Sequence, residues 1–433
     1  MVGVIAAGVA FVACGSNKSS NSQHQVSGLK FRAFVSNSLF PNGVSNAPVI
    51  NIIDATQNQL SPATIGLSGT VAQAGLMAVS PSLSLTLVFS QADNTIAVIS
   101  NTSESVGASS NGGPGASTFV LPGSTESMFV AKDNLTVYAA VPSAPVTGQS
   151  PGAVVVMNLG TGAISATIPV AGARFVVPSP DGNHVLVFSD KSDAITVIST
   201  VLIGTSQDPR AVVAGTAQNH FDRPVWAIFS DSGSAYIFNC GKQCGGTAAG
   251  ISTFTIGDSG PGSTTPVSGA TYGLLNGTTL YVAGTPPHTA CGSGTAAPTC
   301  GTLNILDVGS MEVTNSKPIV ITDGYHDRME MGSNGQLFIG SHSCSNVNVA
   351  GGEVRGCLSI FNTTNSKVVI PPQIGDATGM QAVPGRNIVY ICQGGAFQIF
   401  DTTTDKLLVQ NVAIPLVIVG QAVDVKIVDP PPD

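Results

Sequence analysis

The stretch DGYHDRMEM, residues 323–331, is the densest cluster of ionisable side chains in this chain, and a shorter relative of it, NHFDRP, occupies 219–224. A histidine beside a carboxylate has the makings of a general base, and an arginine offers a planar fork for carboxylates and other oxyanions. His220, Asp222, Arg223, His326, Asp327 and Arg328 are therefore the side chains with which this sequence could do chemistry. Asp, Glu, Lys and Arg make up only 9% of the 433 residues, against about 25% in ordinary globular proteins. Against that background the clustering points to a polar pocket for an anionic or carbohydrate-like ligand. The plainer reading is a rim where charged groups satisfy one another and the channel water.

Other chemistry finds no support. There is no GxSxG elbow, no Walker-type loop and no HExxH pair, so no cofactor is called for and no catalytic residue is assigned. His288 stands three residues before Cys291 and His342 two before Cys344, but the second cysteines lack neighbouring ligands, and no metal is expected. The formal net charge is −8 and no stretch gathers Lys or Arg into a patch. Counterion release therefore has no source, which excludes nucleic acid as a partner.

The elements that must carry these residues are strands. Val, Ile, Thr and Phe recur in short alternating runs between Gly, Pro, Asn and Asp, as in SPDGNHVLVFSDKSDAITVIS, residues 179–199. Hairpins of this kind recur at 31–60, 85–102, 135–164, 184–199, 234–260, 278–311, 336–368 and 387–407. Their spacing of about 43 to 55 residues lies in the range of propeller repeats. Each hairpin after the first is preceded by another apolar run, and most are followed by one, giving four strands per unit. Twisted four-stranded sheets bury both faces by stacking radially. The fold expected is all-β: a single β-propeller over 28–429, of eight blades by repeat count, with 430–433 as a tail. Seven is the alternative if one hairpin is a peripheral insertion. The run QAVDVKIVD, 421–429, is expected to close the ring as the innermost strand of the first blade.

These repeats resemble the YVTN-type β-propeller proteins. The strand end named for that family appears as FVSN (34–37), VFSD (187–190) and YIFN (236–239), and its SPDG turn is residues 179–182. If the four strands of a blade, A to D from the inside, alternate in direction, the B to C and D to A connections emerge on one face. The long B to C loops (38–47, 140–152, 240–250, 284–301 and 341–356) then decorate a single face. By repeat position His220, Asp222, Arg223, His326, Asp327 and Arg328, joined by Glu126 and Arg174, approach the mouth of the central channel there. Trp226, the single tryptophan, reads as core.

Six cysteines fall into local couples in three of these loops, Cys240–Cys244, Cys291–Cys300 and Cys344–Cys357, each expected to be a disulfide. Bridges imply an oxidising compartment. Cys392, in an apolar strand, reads as a buried thiol. The amino end agrees: an apolar run of 13 residues ends in FVAC, which resembles the bacterial lipobox, with Phe11 where that motif usually has Leu and no Lys or Arg ahead of the run. The resemblance implies a signal peptide over 1–14, lipidation at Cys14, and residues 15–27 as a flexible tether to the membrane.

The sequence thus points to a non-enzymatic lipoprotein propeller outside the cytoplasm, periplasmic or at the outer membrane or cell surface, whose rigid face binds a protein or a small polar ligand. A propeller enzyme of the lactonase or dehydrogenase kind and a structural surface component are the rival readings.

Overall fold

Leu85–Ser90 and Thr95–Ser100 show how the alternation becomes a core. Leu85, Leu87, Phe89, Ile96 and Val98 face one neighbouring sheet, while Val88, Ala97 and Ile99 face the other. A middle strand buried on both faces has to be apolar at nearly every position, and these two are buried throughout.

In the computed structural model, which describes residues 26–41, 46–107, 117–231, 233–287, 299–345, 356–408 and 416–432, the strands form eight antiparallel sheets. Six hold four strands; two hold a fifth because the outermost strand is split, as at Ser105–Val106 and Thr118–Val120. The eight buried clusters each lie between two consecutive sheets, so the core is a ring of slabs around a channel. The protein is an eight-bladed β-propeller, and the middle hairpins of all eight blades are those read from the sequence.

The ring closes as expected. Ala422–Ile427 pairs antiparallel with Arg32–Pro41 as the innermost strand of the first blade. The other innermost strands, blades 2 to 8 in order, are Met77–Val79, Ser127–Val130, Ala173–Pro178, Pro224–Phe229, Tyr272–Asn276, Tyr325–Met331 and Ala377–Ala382. Arg32 fastens the closure: its N–H and Nε donate to Asp429 Oδ2 at 2.8 and 2.7 Å, and Nη2 to Oδ1 at 2.7 Å. Its Nη1 donates to Glu104 at 2.6 Å, so both chain ends and the second blade share one buried ion cluster.

Two of the three cysteine couples are seen as bridges. Cys240–Cys244 and Cys344–Cys357 are both disulfides with Cα atoms 5.6 Å apart, and Cys392 is a buried free thiol. Cys300 is also disulfide-bonded; Cys291, its expected partner, lies outside the described residues, as does Cys14.

Candidate functional site

Five of the eight innermost strands carry an irregularity in their pairing with the second strand, always near the channel-mouth end. The extra residues are Val423, Arg174, Val225, Asp327 and Thr378 in blades 1, 4, 5, 7 and 8. A bulge puts two residues opposite one and re-aims the side chains around it. In a regular strand His326 and Arg328 would share a face and Asp327 would point the other way. With the bulge, Asp327 and Arg328 both face the channel and His326 turns into the wall, where it is fully buried.

The channel mouth is built on these bulges. A cavity of about 220 Å³ is walled by Phe129, Phe175, Trp226, Tyr272 and Tyr325, with Glu126, Asp327 and Arg328 at its edge. A second, of about 430 Å³, continues from the same three charged residues past His342, Thr378, Gln421 and Val423. Trp226, expected in the core, packs against the core clusters on either side of its blade and also stands in the channel wall, its ring 5.0 Å from Tyr272 and edge-on to Phe175 at 6.0 Å.

The charges form two linked groups. Arg174 Nε donates to Glu126 at 2.9 Å and Nη1 reaches Asp190 at 3.4 Å, while the guanidinium lies 5.0 and 5.1 Å from the rings of Phe175 and Tyr325. Across the channel Asp327 Oδ2 lies 3.6 Å from Arg328 Nη1 and 3.4 Å from His342 Nδ1. Arg328 is further fixed by Nε to the Thr378 carbonyl at 3.2 Å and Nη1 to its neighbour's carbonyl at 3.1 Å. Burial works to raise the Asp327 carboxyl, but the charges of Arg328 and His342 outweigh it and hold the group below its ordinary value. The hydrogen bond to Asp327 in turn lifts the His342 imidazole above its ordinary value against partial burial. Burial pushes the Tyr272 phenol up to about 12.

His342 comes from the end of the neighbouring strand, directly opposite Tyr325 in the ladder. Gly324 makes the approach possible: its φ is +99°, and a Cβ there would sit 2.6 Å from the His342 carbonyl oxygen. The Gly324 carbonyl also accepts Thr285 Oγ1–H at 2.8 Å and the Gln243 amide at 3.4 Å, so the bridged 240–250 loop of blade 5 is tied to blade 7.

Of the residues expected at the mouth, Glu126, Arg174, Asp327 and Arg328 meet there. Arg223 lines a neighbouring cleft. Asp222 does not face the channel; its carboxylate accepts the Thr247 and Ala248 N–H groups at 2.9 and 2.7 Å and so pins the bridged loop. His220 lies apart, in a shallow depression with Asp193 and Ala214, its Nδ1 donating to the Phe221 carbonyl at 2.7 Å. His326 donates Nε2–H to the Thr322 carbonyl at 3.0 Å, and burial lowers its pKa to about 4, leaving it neutral and out of reach of any channel ligand. The sequence reading missed Tyr325, Tyr272 and His342 as site residues; only the tyrosines that begin two inner strands and the histidine that ends a second strand would have marked them.

An eight-bladed β-propeller with a charged, aromatic-walled channel mouth is the class that fold and site define. Three solved structures share the architecture. The dihydro-heme d1 dehydrogenase NirN, in complex with DHE, is 12% identical over 92% of this chain and 75% of that one, with a TM-score of 0.62. The hydrazine synthase of Kuenenia stuttgartiensis is 13% identical over 79% and 96%, TM-score 0.52, and a eukaryotic initiation factor is 12% identical over 92% and 98%, TM-score 0.51. At such identity the likeness is one of fold. No protein-family model matches the chain, and no curated protein matches its sequence.

Proposed function

We propose that the chain is a non-enzymatic binding propeller of the YVTN-repeat kind, whose channel mouth takes a small polar ligand bearing a carboxylate and an apolar ring face, such as a sugar acid. The observation that carries this reading is Arg328. Two carbonyls hold its Nε and Nη1, and the guanidinium so fixed lines a cavity walled by aromatic rings. A fixed cation beside an apolar wall costs little entropy to engage and discriminates by geometry. Titration calorimetry with glucuronate and galacturonate, against glucose and galactose, is the test. The acids bind saturably and the neutral sugars weakly; Arg328→Ala weakens the acids about tenfold or more. Equal binding by the variant, or no binding of either acid, would refute the reading.

A second reading rests on the Asp327–His342 contact, which has the form of an oriented base. Turnover of gluconolactone that disappears in His342→Gln would move the protein to the enzymes.

The compartment we propose is extracytoplasmic, with a lipid anchor on Cys14. Support comes from the two bridges seen in the loops, since disulfides persist in oxidising surroundings. Intact mass of the native chain, raised by acyl groups at Cys14, is the check.

A further inference from the structure

Beside the channel mouth a separate cleft of about 400 Å³ opens between blades 4 and 5. Three cations line it from three segments: Arg174 on the bulge of one inner strand, Lys191 on the turn after the second strand of that blade, and Arg223 just ahead of the next inner strand. Three carboxylates answer them: Asp190 lines the cleft too, while Glu126 and Asp193 stand outside it. The side chains of Arg174 and Arg223 are 27% and 24% exposed, whereas Glu126, Asp190 and Asp193 are 57%, 48% and 51% exposed. Water and salt screen these carboxylates more than the two half-buried arginines, so the arginines weigh more on the potential of the cleft. Arg223 Nε is buried with no hydrogen-bond partner among the described residues. Lys191 and Arg223 both hold φ at +56°, a left-handed conformation that residues with a side chain seldom adopt and that gathers at ligand sites.

We infer that this cleft is a subsite for a phosphoryl group bound as its dianion. A carboxylate is planar, carries one charge and is satisfied by a single guanidinium fork. A phosphoryl group presents three terminal oxygens in different directions and carries nearly two charges, which suits three cations on separate segments. The inference does not rest on the channel reading, because Lys191 and Arg223 line neither channel cavity.

The experiment titrates the full chain with inorganic phosphate, phenyl phosphate and acetate at low ionic strength, read by calorimetry and by phosphorus NMR line width. Phosphate binds saturably, at least about tenfold more tightly than acetate, and Lys191→Gln and Arg223→Gln each weaken it about tenfold. Lys191 sits on an exposed turn, so its variant tests the site without threatening the fold. Phenyl phosphate binding more tightly than phosphate supports an ester whose ring lies on Tyr325; equal binding supports the free ion. Unchanged affinity in both variants, or no saturable phosphate binding, overturns the inference.

Discussion

Asp327 holds two bases on one carboxylate oxygen, and that shared contact makes the mouth sensitive to pH. His342 has its pKa raised in the folded chain by the hydrogen bond to Asp327. A raised imidazole contributes stability that is fully present below its unfolded value and is lost as pH rises through the folded one. The difference in urea midpoint between the wild type and His342→Gln is therefore expected to be widest below the ordinary imidazole value, near about pH 5.5, and to shrink as pH rises past it. A difference independent of pH would place the stabilisation in packing against Tyr325 instead. At this scale the sequence was half readable. Glu126, Arg174, Asp327 and Arg328 were placed correctly because repeat register alone puts them at the head of inner strands. His326 faces the wall because parity along a strand decides whether a side chain faces channel or wall, and one bulge resets that parity without leaving a mark in the hydrophobic pattern; His220 lies ahead of its inner strand, where strand register no longer fixes it.

The element that most needs support is the innermost strand of the first blade, since it arrives from the far end of the chain. Backbone pairing with Arg32–Pro41 is supplemented by the Arg32 cluster, in which Arg32 and Glu104 side chains are 9% and 0% exposed. Removing one member of a buried charge group costs more than the group contributes as a whole. Arg32→Met leaves Glu104 and Asp429 without their shared cation, and urea denaturation should show a loss of about 3–5 kcal/mol. A loss below about 1 kcal/mol would mean that strand pairing closes the ring unaided. The closing strand itself was predictable, because the first hairpin lacked an inner strand and one alternating run was left over at the end. The ion cluster was not, since Arg32, Glu104 and Asp429 come from three distant stretches with nothing shared between them.

For the whole molecule, spacing carried the reading: eight hairpins at a propeller period fix the blade number once each is flanked by its own inner strand. Alternating strand direction then places the long loops, both observed bridges and the channel mouth on one face. Ser38, Gln421 and Val423 line the mouth, whereas Arg32 and Ile427 lie at the opposite ends of the same two strands. Residues 26–31, leading into Arg32, therefore meet the ring on the far face. The single tryptophan makes the claim about this face directly measurable, because Trp226 stands in the aromatic wall of the channel cavity. Titrated with glucuronate, the emission of Trp226 is expected to shift saturably, with the same midpoint as calorimetry and with the response lost in Arg328→Ala. Calorimetric binding with no change in Trp226 emission, or a change that survives in Arg328→Ala, would place the ligand elsewhere and contradict the account.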